Sequence, residues 1–167
     1  MKFGFIVICL IFVFNACGYK PTASYAINAL SSNVYIEVPI DIYNARNSVL
    51  IKDALTELIV NKFELRTTTK KQFASSFIKA KLLSVAHKEL QSDISGYAKV
   101  YRETVKVEVK YNKKDQKEKV ITVSNYFDFI VNNDSTITQS KKDEAIKIAI
   151  NKALSEVFSK IAISSYK

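Results

Sequence analysis

Residues Val105-Lys106-Val107-Glu108-Val109-Lys110-Tyr111 alternate strictly between apolar and charged side chains. A period of two belongs to a strand with one dry face and one wet face. The polar run Asn112-Lys113-Lys114-Asp115 follows as a turn. Beyond it, Ile121, Val123, Phe127, Phe129 and Val131 again share one side, interrupted at Asn125. Together these runs predict an antiparallel hairpin whose dry face must be covered by another element.

Helices on either side can supply that cover. Downstream, after a turn at Asn132-Asn133-Asp134, Ser140 and Asp143 form a capping pattern. They open a helix with Ile146, Ala149, Ile150, Ala153, Leu154, Val157, Phe158 and Ile161 as its buried stripe. Upstream, Leu50, Ile51, Ala54, Leu55, Leu58, Ile59 and Phe63 recur at helical steps, with Asn47 or Ser48 as N-cap. Two further strands are expected. One runs over Val34–Val38 and ends at Pro39, which cannot donate to a ladder. The other runs from Phe77 to His87, with a turn at Gly96. Helices with one apolar stripe and strands with one apolar face bury both most simply in two layers. The expected fold class is α+β, a two-layer sandwich with two helices on one face of a mixed four-stranded sheet, in the order β-α-β-β-β-α. The first strand–helix–strand unit implies a parallel pair.

The N-terminus carries a different signal. After Lys2 the chain is uncharged from Phe3 to Phe14, twelve residues. That is too short for a membrane span of roughly 20 and fits a signal-peptide core of about 7–15. Asn15-Ala16-Cys17-Gly18 follows and resembles a lipobox, with Phe14 and Asn15 standing where Leu and a small residue are usual. The expected layout is a cleaved lipoprotein signal over 1–16, a lipidated N-terminus and tether over 17–33, and one α+β domain over 34–167. Cys17 is the expected lipidation site. Its two or three acyl chains would anchor the protein, since a single chain, at about 0.8 kcal/mol per methylene, holds only marginally. Gly18, rather than an aspartate, points to the outer membrane.

The remaining 151 of 167 residues are a normal size for one domain. With Cys9 and Cys17 the only cysteines, that domain has no disulfide and must be held by its core. Its net charge of +8 is uneven: Leu65 to Lys88 contains six bases and no acid, and Lys99 to Lys119 contains eight bases and four acids. An exported basic protein implies an anionic partner, or else a solvated positive face. Nucleic acid is not expected outside the cytoplasm.

Catalytic equipment is missing from the pattern. His87 is the sole histidine and reads as a structural strand residue. No second histidine or free thiol exists to build a metal site or a nucleophile–base pair. The mature glycines are Gly18 and Gly96, so no phosphate-cradling loop is present. Glu103, Glu108, Asp143 and Glu144 are expected on exposed faces or at a helix start. The chain reads as a non-enzyme without metal or cofactor.

Cys17-Gly18-Tyr19, Val38-Pro39-Ile40 followed by Asn47, the helix with Leu55-Thr56-Glu57-Leu58, and the final helix from Ala145-Ile146 to Ala153-Leu154 resemble, in that order, the LPS-assembly lipoprotein family (LptE). The resemblance implies a plug inside a large outer-membrane β-barrel of the LptD type. Such a plug helps the barrel fold and contacts lipopolysaccharide through bases near two loops. Lys141 and Lys142 occupy the loop leading into the final helix. The other loop, Gln91 to Ala98, has no base. Arg66, Lys70, Lys71, Lys79 and Lys81, or the hairpin bases Lys113, Lys114, Lys117 and Lys119, are then the candidates to replace it. The competing expectation is a free-standing envelope lipoprotein, an adhesin or carrier binding an anionic ligand or lipid.

For the anchor, Cys17→Ala should abolish incorporation of labelled palmitate. Continued labelling of that variant would refute the lipobox reading.

Overall fold

The computed structural model describes residues 29–41, 45–92, 98–131 and 137–164. Cys17 with its surroundings and the turns expected at Gly96 and at 132–134 lie outside those residues. The elements are β1 (Asn33–Glu37), α1 (Ala45–Glu57) continuing into a π-helical turn (Leu58–Lys62), β2 (Arg66–Thr68), a 3-10 turn (Lys71–Phe73), β3 (Ser76–Ser92), β4 (Ala98–Lys113), β5 (Lys119–Ile130) and α2 (Gln139–Ser164). They form a mixed sheet in the order β2-β1-β3-β4-β5. β1 runs parallel to both β2 and β3, while β3–β4 and β4–β5 are antiparallel.

The sheet has five strands where the sequence predicts four. The extra strand, Arg66-Thr67-Thr68, is three residues long and carries no apolar alternation, so it leaves no period to read. It forms because β1 would otherwise be an open edge, and Leu65, 7% exposed, plugs its start into the core. Serines knit this end together. Ser31 N–H donates to Ser76 Oγ (2.7 Å), Ser75 N–H to Asn33 O (2.9 Å) and Lys114 N–H to Ser75 O (3.0 Å). Leu30, in the stretch read as tether, is 2% exposed in the core.

One core joins both helices to one sheet face. Val105, Val107 and Val109 present the central row on β4, and α2 lays Ala149, Ile150, Ala153, Leu154, Val157 and Ile161 against the sheet. Each large apolar side chain so buried contributes about 1.5–3 kcal/mol. Leu58 and Phe63 are both buried although five residues apart. The π turn between them supplies the extra residue, bringing Phe63 rather than Lys62 inward to stack on Phe158 at 4.7 Å.

Both expected helix starts need correction. Ser48 lies inside α1, and its Oγ accepts the N–H of Asp41 at 3.0 Å instead of capping. At α2 the cap is Thr138, whose Oγ1 accepts from Lys141 N–H (3.3 Å), so Ser140 is already helical. Asp143 pairs instead with Arg46 of α1. A capping pattern of spacing three fits more than one register, and the inter-helix ion pair selects this one.

β5 is a twelve-residue edge strand, the kind that invites pairing with other chains. Its centre is blocked. Tyr126 N–H is taken by Asn125 Oδ1 (2.9 Å), and Tyr126 O by Lys152 Nζ (3.4 Å). The residue that interrupts the apolar row thus guards the edge and, through Nδ2, ties β5 to Glu156 of α2 (3.3 Å).

After the π turn, Glu64 adopts φ 53°, a left-handed conformation that costs a non-glycine residue about 1–2 kcal/mol. The turn is closed by Leu65 N–H to Ile59 O at 3.2 Å. Glu64→Gly should therefore raise unfolding stability by about 0.5–1 kcal/mol, allowing for the freer unfolded chain. Loss of stability in chemical denaturation would contradict this account of the turn.

Candidate functional site

The basic residues nominated from sequence fall into separate regions. Arg66 is the register partner of Asn33, and Ser76 is the partner of Lys113. The turn carrying Lys70 and Lys71 precedes Ser75, whose carbonyl holds Lys114. Arg66, Lys70, Lys71, Lys113 and Lys114 therefore gather at one end of the sheet, with Lys117 and Lys119 on the same hairpin. Lys79 and Lys81 extend from that end along the face of β3 turned away from the helices. Lys141 and Lys142 stand at the start of α2, whose other end reaches the hairpin, where Ser164 Oγ lies 3.2 Å from the Tyr111 hydroxyl. The sequence blocks thus form two positive ends, not one patch.

The α2 start has an unusual charge pattern. Its first turn contains no acid. Acids there would stabilise the helix and bases oppose its dipole, by about 0.3–1 kcal/mol each. Lys141 and Lys142 therefore work against helix stability, while their charge adds to the positive helix end where anions bind.

The sheet face away from the helices is charged but largely self-neutralised. Lys79 Nζ lies 2.6 Å from Glu37 Oε1. Arg102 grips Asp128 with two hydrogen bonds (2.7 and 2.8 Å) and lies 3.7 Å above the Tyr126 ring. The hydrogen bond from Lys79 holds the Glu37 carboxyl below its ordinary value, helped by the nearby charges of Lys79 and Lys71. The Arg102 hydrogen bonds do the same for Asp128, and both basic partners are raised in turn. What the two carboxylates contribute is present above the ordinary carboxylate range and is lost as pH falls through their lowered values. Both pairs are exposed, so solvent screening keeps that contribution small. Lys79 is accordingly already engaged, unlike Lys81, for which no partner is seen among the described residues.

Glu103 corrects the sequence reading. Expected on an exposed face, it is 2% exposed. It shares the parity of Val105 and so points to the dry side. His87, its register partner on β3, places Nδ1 2.6 Å from Glu103 Oε1. The imidazole stacks on Tyr101 (5.0 Å between centroids), and Tyr101 on Phe129 (5.8 Å), making a three-strand ring ladder. No group of His, Cys, Asp or Glu side chains among the described residues is arranged to hold a metal ion. No helix among them is long and apolar enough to cross a membrane.

Comparisons with known proteins place this architecture. A family model described as LptE, lipopolysaccharide-assembly, matches residues 32–161. No curated protein matches the chain in sequence. Among solved structures, the chain is similar to rare lipoprotein B from Shewanella oneidensis, with 12% identity and a TM-score of 0.55, covering 80% of this chain and 96% of that one. A Caulobacter crescentus protein gives 11% identity and a TM-score of 0.52, covering 87% and 96%. At such identities the likeness establishes the fold alone.

The His87–Glu103 pair can be tested directly. His87→Ala should strand a buried carboxylate and cost about 1–3 kcal/mol of unfolding stability. His87→Ala combined with Glu103→Leu should recover much of that loss, because the unpaired charge is gone. A single variant as stable as the parent would show that Glu103 does not depend on His87.

Proposed function

Because the chain belongs to the LptE lipopolysaccharide-assembly family, we propose that it acts as an outer-membrane lipoprotein that plugs and helps assemble a β-barrel of the LptD type. The observation that carries this reading is the extent of the match. It runs from Ser32, just before β1, to Ile161 in the last turns of α2, and so takes in every strand and nearly all of both helices. The chain's role in lipopolysaccharide assembly rests on that membership.

The finer reading draws support from the shape and charge of the domain. A barrel lumen is polar, and the sheet face away from the helices is lined with paired charges that suit such surroundings. Cleavage after residue 16 and lipidation of Cys17 would fix the protein to the inner leaflet of the outer membrane. The residues between Cys17 and the packed Leu30 would give the lead needed for the domain to enter the barrel while its lipid stays in the leaflet. The role is structural and non-enzymatic.

Contact with lipopolysaccharide belongs, in this reading, to Lys141 and Lys142 at the positive start of α2. Lysine binds phosphate as a point charge and needs no fork geometry. The cluster of Arg66, Lys70, Lys71, Lys113 and Lys114 at the opposite end supplies a second positive surface for the same polyanion, with Lys79 and Lys81 along the sheet.

Detergent-solubilised, tagged protein should co-purify with a large outer-membrane β-barrel, and barrel folding should fall when this chain is depleted. Repeated isolation without such a partner would favour a free-standing ligand-binding lipoprotein. Lys141→Glu with Lys142→Glu should weaken lipopolysaccharide binding at low salt while leaving helix content unchanged. Undiminished binding would remove these two residues from the contact.

A further inference from the structure

The pairing of β1 with β3 stops at Glu37 opposite Lys79. Beyond that point β3 runs on to Ser92 with β4 on one side and, among the described residues, no strand on the other. Pro39 blocks any continuation of β1, having no N–H to give a ladder. The chain turns away instead, and Asp41 N–H donates to Ser48 Oγ at 3.0 Å. Register shifts lie between Leu82 and Ser84 and between Glu89 and Gln91. The run between them, Ser84 to Glu89, pairs residue by residue with Lys106 to Tyr101. Its outer edge therefore presents a regular row of backbone donors and acceptors. Asn125 and Lys152 close the centre of β5, but no side chain among the described residues does so here. Beside this edge a cleft of about 430 Å³ opens at the start of α1. Val38, Pro39, Ile40, Ile51, Leu83 and Val85 line it, with Ile40 74% and Leu83 41% exposed.

We infer that this edge takes an added strand, a short extended segment of a partner protein that alternates apolar with acidic residues. Strand addition draws affinity from main-chain hydrogen bonds and selectivity from the alternating side chains. Another backbone matches the spacing of the row, and an acyl chain has no polar group to offer it. The bulges at both ends limit the added strand to about six residues, an ordinary strand length. Parity then sets its side chains. Val85 and His87 pair with Val105 and Glu103 and face the helix layer, so the new residues on that side meet the cleft and are apolar. Ser84, Ala86 and Lys88 stand on the other face. Lys88 has no acid paired with it among the described residues, and its register partner Arg102 is already held by Asp128. An acid across from Lys88 completes that face. A second copy of this chain fits less well. Laid antiparallel on itself about Ala86, the run would put two Lys88 side chains on one face with no acid between them. The edge shares no residue with the lipopolysaccharide contacts proposed above, and the inference stands without the barrel reading.

The test uses the full lipoprotein, isotope-labelled in detergent, and a blocked peptide of about six residues alternating valine and glutamate. The peptide should shift the amide resonances of Ser84–Glu89 and slow their hydrogen exchange. Alternate N–H groups of a strand point to opposite edges. Methylating the valine nitrogens and methylating the glutamate nitrogens should therefore differ, one peptide losing binding and the other keeping it. Replacing glutamate by lysine should weaken binding about threefold, the effect of a cross-strand charge pair. Lys88→Glu, on the exposed face, should reverse that preference, and Ile40→Ser should weaken both peptides. No change at Ser84–Glu89, equal tolerance of both methylated peptides, or an unreversed preference in folded Lys88→Glu would each overturn the assignment. Slowed exchange of the same amides in the protein alone, growing with its concentration, would overturn it in favour of a second copy.

Discussion

The contact between the apolar stripe of α2 and the row Val105, Val107 and Val109 on β4 sets the terms for the rest of the molecule. No cysteine follows Cys17, so burial has to supply the stability of the packed domain. α2 is 26 residues long and follows the sheet from Tyr111 at one end to beyond Phe127, where Lys152 Nζ sits 5.1 Å from the ring. Small residues at Ala149, Ala153 and Ala162 let it lie close, and α1 fills the rest of the same face through Ile51, Leu55 and Ile59. Both helices are consumed by one face. The other face is left to water or to a partner.

That asymmetry explains where the charges go. Side chains of one parity along β4 and β5 are dry and the other parity must be soluble, while β3 exchanges its parity at the register shift between Leu82 and Ser84. Glu37 with Lys79, Glu118 with Lys110 and Asp128 with Arg102 form a ladder of opposite charges across neighbouring strands. Individually such pairs contribute little to stability. Together they leave most of the charge on this face compensated, Lys81 excepted. Most of the surplus positive charge is displaced to the two ends of the sandwich.

The dry face has its own polar exceptions, and each has a partner. Glu103 would be untenable without His87, and Asn125 without Glu156. Asn125 also shields the centre of β5 from pairing with other chains. An edge closed by its own side chains lowers the hazard of such mispairing.

Much of this was legible in the chain. The period-two run of β4, the apolar rows of β5, and the helical stripes of α1 and α2 specify the two layers, because burial reads side-chain parity directly. The resemblance to LptE also rested on sequence order, and the family match bears it out. Local pattern ends where partners are remote. β2 is three residues long with no apolar period, and only its pairing with β1 shows that Arg66-Thr67-Thr68 is a strand. Thr138 caps α2 because Asp143 is drawn to Arg46, a residue 97 positions away. Lys71 and Lys110, far apart in sequence, come to line one cleft. The sequence by itself determined which faces of β5 and of the two helices are dry and which are wet, since that follows from the period of each segment, whereas β3 changes face at a register shift that only pairing with β4 reveals. Which charges neutralise one another, and which is left over to meet a ligand, was decided only by strand register and helix packing, because Coulomb interactions depend on distances that no local pattern encodes.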